Sequence, residues 1–261
     1  MIIRPPAVAG TLYDADTQRL LAQVESWLEN PAGKIIPKPP KALIVPHSGY
    51  HYSGETAASA FRLLEPVYDT IHRVVLLGTS HRESFEGIAL PGTDVFRTPL
   101  GDVKVDAHSV QILLKNQLVH ELPETHRLEH SIEVQLPFLQ TALENFTLVP
   151  LIVGNCDPKA LADVLTALWG SDETLFVIST GLSRKLPYDQ AVAQDATSAE
   201  QIRKCVPEFK YDQACGYSAL NGFLTLAKSK QLDSKCLSLT TSADKNGRKD
   251  NVRGFGSFAF Y

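Results

Sequence analysis

Short runs of branched apolar residues alternate along this chain with longer stretches of helical spacing, and that alternation restricts the fold more than any other feature. The runs 42–45 (ALIV), 74–77 (VVLL), 146–153 (FTLVPLIV) and 175–179 (LFVIS) are apolar almost throughout, the pattern of strands buried on both faces. Residues 16–29 place Leu20, Leu21, Val24, Trp27 and Leu28 at helical spacing behind a candidate cap, Asp16 or Thr17. Residues 55–64, with Ser53 available as cap, 107–118, 158–169, 188–204 and 216–228 also read as helices. A further helix from about Ser131 must tolerate Pro137, by a kink or by starting afresh there. FEGIALPG (85–92) suggests a short strand, TPLGD (98–102) a turn, and 236–241 and 254–260 closing strands. Strands alternating with helices of this length predict an α/β fold, with a mostly parallel or mixed central sheet covered by helices on both faces.

No Pro/Gly/Ser linker divides the 261 residues, so 1–261 is expected to form a single domain, with the proline-rich segment 30–40 as a connector inside it. The net charge of −4, with Lys and Arg scattered, gives no basis for binding nucleic acid or anionic membranes. No stretch approaches the roughly 18 apolar residues of a spanning helix, and the start MIIRPPAVAG lacks the pattern of an export signal. The expectation is a cytoplasmic protein. Cys156, Cys205, Cys215 and Cys236 include no CxxC pair, so free thiols are expected rather than a disulfide framework or a zinc ribbon. The chain also lacks GxGxxG, P-loop, HExxH and GxSxG motifs.

Three constellations carry candidate chemistry. His47 and His81 each lie just beyond an apolar run (ALIVPH and VVLLGTSH), with His51 four residues after the first. Ligands of open α/β sheets gather beyond the carboxyl ends of strands, and imidazoles delivered there suit zinc, copper or iron; the alternative is solvated loop histidines. In EHSIE, Glu129 and Glu133 are four apart and would share a helix face while His130 points elsewhere. That pair would serve a metal or acid–base chemistry, or simply favour the positive end of the following helix. Cys215, before the helix at 216–228, would gain thiolate character from the helix amides, or would be a buried small apolar residue.

Taken in order, RPPAVAGTLY (4–13), VPHSGYHYSG (45–54), LLGTSH (76–81), TPLGDVKVD (98–106), EHSIEVQLPFL (129–139) and the pair Cys215-Gly216 resemble the Memo family. That family comprises the mediator of ErbB2-driven cell motility and bacterial and archaeal relatives known as AmmeMemoRadiSam system protein B. The resemblance implies one α/β domain similar in fold to the class III extradiol dioxygenases, which open catechol rings with Fe(II). It also implies a pocket at one rim, where the family's two histidines and cysteine fall on His47, His81 and Cys215. His51, Glu129, His130, Gly181 and Arg184 are expected to line that pocket. A further family histidine belongs to a motif SSDxxH, and here the chain departs: STGLSR puts Gly181 at the aspartate and Arg184 at the histidine.

The departure bears on chemistry. Imidazole titrates in the useful range, whereas guanidinium keeps its proton, and Cys215 stands where extradiol enzymes use a carboxylate. No catechol cleavage is therefore expected, and enzymatic activity is not favoured. The leading expectation is a metal-binding protein holding copper, iron or zinc on His47, His81 and Cys215. A binding or scaffold protein recognising a small anionic molecule or peptide through Arg184 is the alternative, followed by a residual dioxygenase or a Cys215 nucleophile.

Overall fold

The computed structural model describes residues 1–29 and 38–261, so most of the connector expected at 30–40 lies outside the described residues. Four parallel strands form the centre of a mixed sheet, in the spatial order Ala42–Val45, Thr174–Ser179, Arg73–Thr79 and Thr147–Val153. Antiparallel strands extend both sides. Ile88–Leu90 pairs with Thr147–Val153 and carries Val119–Glu121 parallel to it. At the other end Val252–Phe260 pairs with Ala42–Val45 and also holds Ser234–Thr241 and Arg184–Leu186. A small second sheet joins Ile3–Arg4, Val95–Thr98 and Gly101–Lys104. Among the described residues no helix is long and apolar enough to cross a membrane.

The continuous apolar runs of the central strands follow from burial on both faces. Ala42 and Ile44 pack into one cluster with Leu161, Leu165, Leu220 and Phe223, from helices Pro158–Ala167 and Tyr217–Ser229. Leu43 and Val45 point the other way, toward Leu20, Val24, Phe61 and Phe138, from helices Thr17–Leu28, Tyr50–Phe61 and Leu136–Ala142. Asp16 caps its helix by accepting from the Arg19 amide, as its position implies. Pro150 is accommodated inside a central strand. The Leu148 carbonyl, which faces away from Arg73–Thr79, accepts from Asp106. The Ile88–Leu90 pairing begins only at Ile152, so Pro150 falls between two partners on that side, where no ladder bond is lost.

Several local expectations are corrected. Ser53 is not a cap: the helix begins earlier, at Tyr50, whose amide donates to Leu12 O and whose hydroxyl donates to Val134 O. The helix expected over 107–118 stops at Leu113, freeing Val119–Glu121 to pair with Ile88–Leu90. EHSIE is not helical. A short 3-10 turn, Glu133–Gln135, leads into Leu136–Ala142, with Pro137 in the first turn of a fresh helix. Glu129 and Glu133 therefore do not share a helix face, and they serve different partners.

Glu133 is fully buried and bonds to the N-terminal segment. It pairs with Arg4 and accepts from the Ala7 and Val8 amides and, at 2.6 Å, from the Tyr13 hydroxyl. The Arg4 guanidinium also donates to the carbonyls of His126 and Glu129, clamping the segment between them. Removing one partner of a buried, fully bonded pair leaves an uncompensated charge. Glu133→Ala should cost roughly 3–5 kcal/mol in urea unfolding, whereas a loss below about 1 kcal/mol would show that the clamp is dispensable.

His126, in the same clamp, is 2% exposed and contacts Ala89 O through Nε2. Burial pushes it down from 6.5 to about 4, with the nearby Arg4 charge assisting and the Ala89 hydrogen bond opposing. The unfolded chain thus takes up this proton first, and stability should fall as pH drops from 6.5 toward about 4. His126→Gln, which retains an N–H donor but does not titrate, should have a flatter dependence of unfolding midpoint on pH across that window. An unchanged slope would refute the assignment.

Candidate metal centre

Three adjacent parallel strands deliver the site. His47 follows Ala42–Val45 by two residues, His81 follows Arg73–Thr79 by two, and Thr180-Gly181 follow Thr174–Ser179 between them. Cys215 approaches from the start of Tyr217–Ser229. Gly216 permits that approach: a Cβ there would come within 2.9 Å of the Thr180 side chain and 3.1 Å of Ser179 O. The Gly216 amide donates to Thr180 Oγ1 at 2.9 Å, and Thr79 Oγ1 donates to Cys215 O at 3.2 Å.

Cys215 Sγ lies 3.1 Å from His47 Nε2, and the ring centroids of His47 and His81 are 5.0 Å apart. His130 completes the group, its centroid 4.5 Å from His81 and 5.4 Å from His47. Candidate ligand atoms of His47, His81 and His130 all lie within 4.8 Å of one another, a set that can hold a metal ion. His47 is buried, whereas His81 and His130 open onto the surface. Gly181 and Arg184 line the same pocket, together with Arg253 and Phe255.

The polar groups behind the cluster fix its proton positions. Ser179 Oγ donates to Ser131 O at 2.6 Å and accepts from Gln135 Nε2 at 2.9 Å. Its remaining contact, His47 Nδ1 at 3.0 Å, therefore has the nitrogen as donor. That fixes the Nδ1 proton and turns His47 Nε2 toward Cys215. Glu129 Oε1 faces His81 Nδ1 at 2.9 Å and His130 Nδ1 at 3.2 Å. Both carboxylate oxygens also accept backbone amides, from His81, His130 and Ser131.

These contacts set the charges. Burial works against the Glu129 carboxylate, but its bonds to His81 and the charges of His81 and His130 hold it well below the usual range. Burial likewise disfavours the His81 cation, yet Cys215 and Glu129 outweigh it and raise His81 to about 9. His130 is pushed down to about 3 by burial and the His47 charge, with Glu129 opposing. For Cys215, burial raises the thiol, but the charge and hydrogen bond of His47 and the adjacent His81 bring it well below the ordinary thiol range. The amide that bonds its sulfur belongs to Gly181, at 3.2 Å, and not to the helix.

His47, His81 and Cys215 thus meet despite their separation in sequence, with His130 beside them. His130 does not point away as the helical reading of EHSIE requires, because that segment is a loop folded around Glu129. Glu129 is buried behind the histidines rather than lining the pocket. His51 lies outside it: exposed on the first turn of Tyr50–Phe61, it packs on Tyr52 and lines a neighbouring cleft with Asp14 and Arg19. Ser179 and Gln135 were missed by sequence reasoning. A polar residue closing the apolar run LFVIS was the available signal for Ser179.

The chain is thus an α/β protein whose central parallel strands carry an imidazole–thiol cluster at their carboxyl rim. The family model for Memo-like protein matches residues 4–259. A MEMO1 family protein of Sulfolobus acidocaldarius is 33% identical over 99% of both chains. One from Ignicoccus hospitalis is 33% identical over 100% of this chain and 99% of its own, and one from Sulfurisphaera tokodaii 31% over 99% of both. The chain belongs to the Memo family.

Burial raises Cys156, Cys205 and Cys236 above their ordinary value, so Cys215 alone among the cysteines is expected to be a thiolate at neutral pH. Metal-free protein should show an ultraviolet thiolate absorbance at pH 7 that disappears in Cys215→Ser and shifts to higher pH in His47→Ala. An identical spectrum for Cys215→Ser would remove the dyad.

Proposed function

We propose that this Memo-family protein binds a transition metal on His47, His81 and Cys215, with His130 as a further imidazole of the cluster. The observation that carries the reading is the convergence of three imidazoles whose ligand atoms lie within 4.8 Å of one another. Each ring also has its Nδ1 against an oxygen, Ser179 Oγ for His47 and Glu129 Oε1 for the other two. That leaves the Nε2 atoms to face an ion. Carboxylate partners of this kind orient metal-binding imidazoles and raise their basicity.

The donor chemistry narrows the ion. Imidazole with a soft thiolate favours copper or zinc, with iron next, over magnesium or calcium, which require oxygen ligands. Glu129 supplies no such ligand, because both its oxygens are engaged by N–H groups. Its role is to hold His81 and His130 in register and to balance the His81 charge. Bound there, the ion would supply Lewis acidity, and redox chemistry if it is copper or iron. The protein contributes Nε2 lone pairs, a low thiol pKa and a rim partly closed to water.

Protein purified without a histidine tag should retain one equivalent of copper, zinc or iron by elemental analysis. His47→Ala and His81→Ala should lose it. Glu129→Gln should bind roughly 10–100-fold more weakly while remaining folded. Full metal content in both histidine variants would overturn the proposal.

A further inference from the structure

Arg184 and Arg253 stand directly opposite each other in the antiparallel pairing of Arg184–Leu186 with Val252–Phe260. Directly opposed residues share one face of a sheet, where like charges repel. Neither guanidinium forms an ion pair with any described residue. Arg184 Nη1 is inaccessible to solvent and has no hydrogen-bond partner among the described residues. An unpaired buried donor on a charged group is costly, so this arrangement is incomplete without an acceptor.

The backbone aims Arg184 deliberately. The pairing carries a bulge between Arg184 and Leu186, and the intervening Lys185 adopts φ 55, the left-handed region that a residue with a Cβ avoids. A bulge of this kind redirects the neighbouring side chain, and strain of this kind persists where surrounding structure enforces it. The Arg184 guanidinium is then braced over the Tyr211 ring, 4.9 Å from its centroid. The preceding loop is pinned by Asp195, which accepts both the amide and the hydroxyl of Ser183 at 2.9 Å.

Both arginines line the pocket that holds His47, His81 and Cys215, and among the described residues no aspartate or glutamate lines it. The cavity measures about 160 Å³, well under the size of a drug-scale pocket. A planar guanidinium binds carboxylate or phosphate through two parallel N–H bonds.

We propose that Arg184 and Arg253 form an oxyanion site that seats the carboxylate or phosphate of a small molecule beside the histidine–cysteine cluster. The site stands on the arginines and not on a bound metal.

Calorimetric titration with inorganic phosphate and with succinate tests it, on protein freed of metal by chelation and desalting. At least one anion should bind the wild-type protein. Arg184→Ala and Arg253→Ala should each weaken binding about tenfold or more, and the double variant should abolish it. Arg184→Lys keeps the charge but loses the two-point fork, so it should also bind more weakly, and it carries the test if Arg184→Ala does not fold. Arg127→Ala, which removes an exposed arginine paired with Glu124, should change nothing. Preference for phosphate would identify a phosphoryl ligand, and preference for succinate a carboxylate. Absence of binding by the wild type, or undiminished binding by the double variant, would overturn the proposal. Anion binding that appears only after metal is added and survives in the double variant would assign the anion to the metal instead. Because the titration is run without metal, its outcome is separate from that of the metal-content experiment.

Discussion

The buried Arg4–Glu133 pair governs the placement of everything on the loop between them. Arg4 comes from the second residue of a two-residue strand, yet its guanidinium reaches the carbonyls of His126 and Glu129 as well as the Glu133 carboxylate. The loop so held presents Glu129 inward, and Glu129 in turn orients His81 and His130. Three carboxylate and guanidinium groups thus connect the amino terminus to the rim of the sheet. A buried pair of this kind adds little net stability compared with an apolar replacement, but its loss is severe. What it supplies here is position.

The rim cluster combines opposite demands. Closing His47 and Cys215 away from water lowers the local dielectric, which would neutralise an isolated thiol and an isolated imidazole. Their mutual contact reverses that tendency for the thiol. A single carboxylate is shared by two imidazoles that respond differently: His81 gains a cation, and His130 loses one. The charge separation is therefore written into the protein, on Glu129, His81 and Cys215, before any ligand is considered.

Much of this was legible in the sequence. The central strands were marked by uninterrupted apolar runs, and the two histidines by their places just beyond two of those runs. The resemblance to the Memo family supplied Cys215, which no local pattern could have joined to residues far away in the chain. EHSIE was misread because i, i+4 spacing presumes a helix, whereas Glu129 bonds the amides of His130 and Ser131 and so competes with helical bonding. His51 was grouped with His47 by proximity in sequence, but the helix start at Tyr50 turns it to another cleft. The Arg184–Arg253 opposition depends on a register that only tertiary pairing defines.

Pro150 illustrates how a sheet can make a residue irreplaceable without using its side chain. On the side facing away from Arg73–Thr79, its strand passes from the segment at Val105 to the short strand at Ile88, with the proline at the changeover. Any other amino acid would bring an amide hydrogen to this buried changeover, between the Val105–Leu148 bridge and the ladder that begins at Ile152. The ring nitrogen seals that gap, so the sheet can change partners in its interior without leaving an open seam.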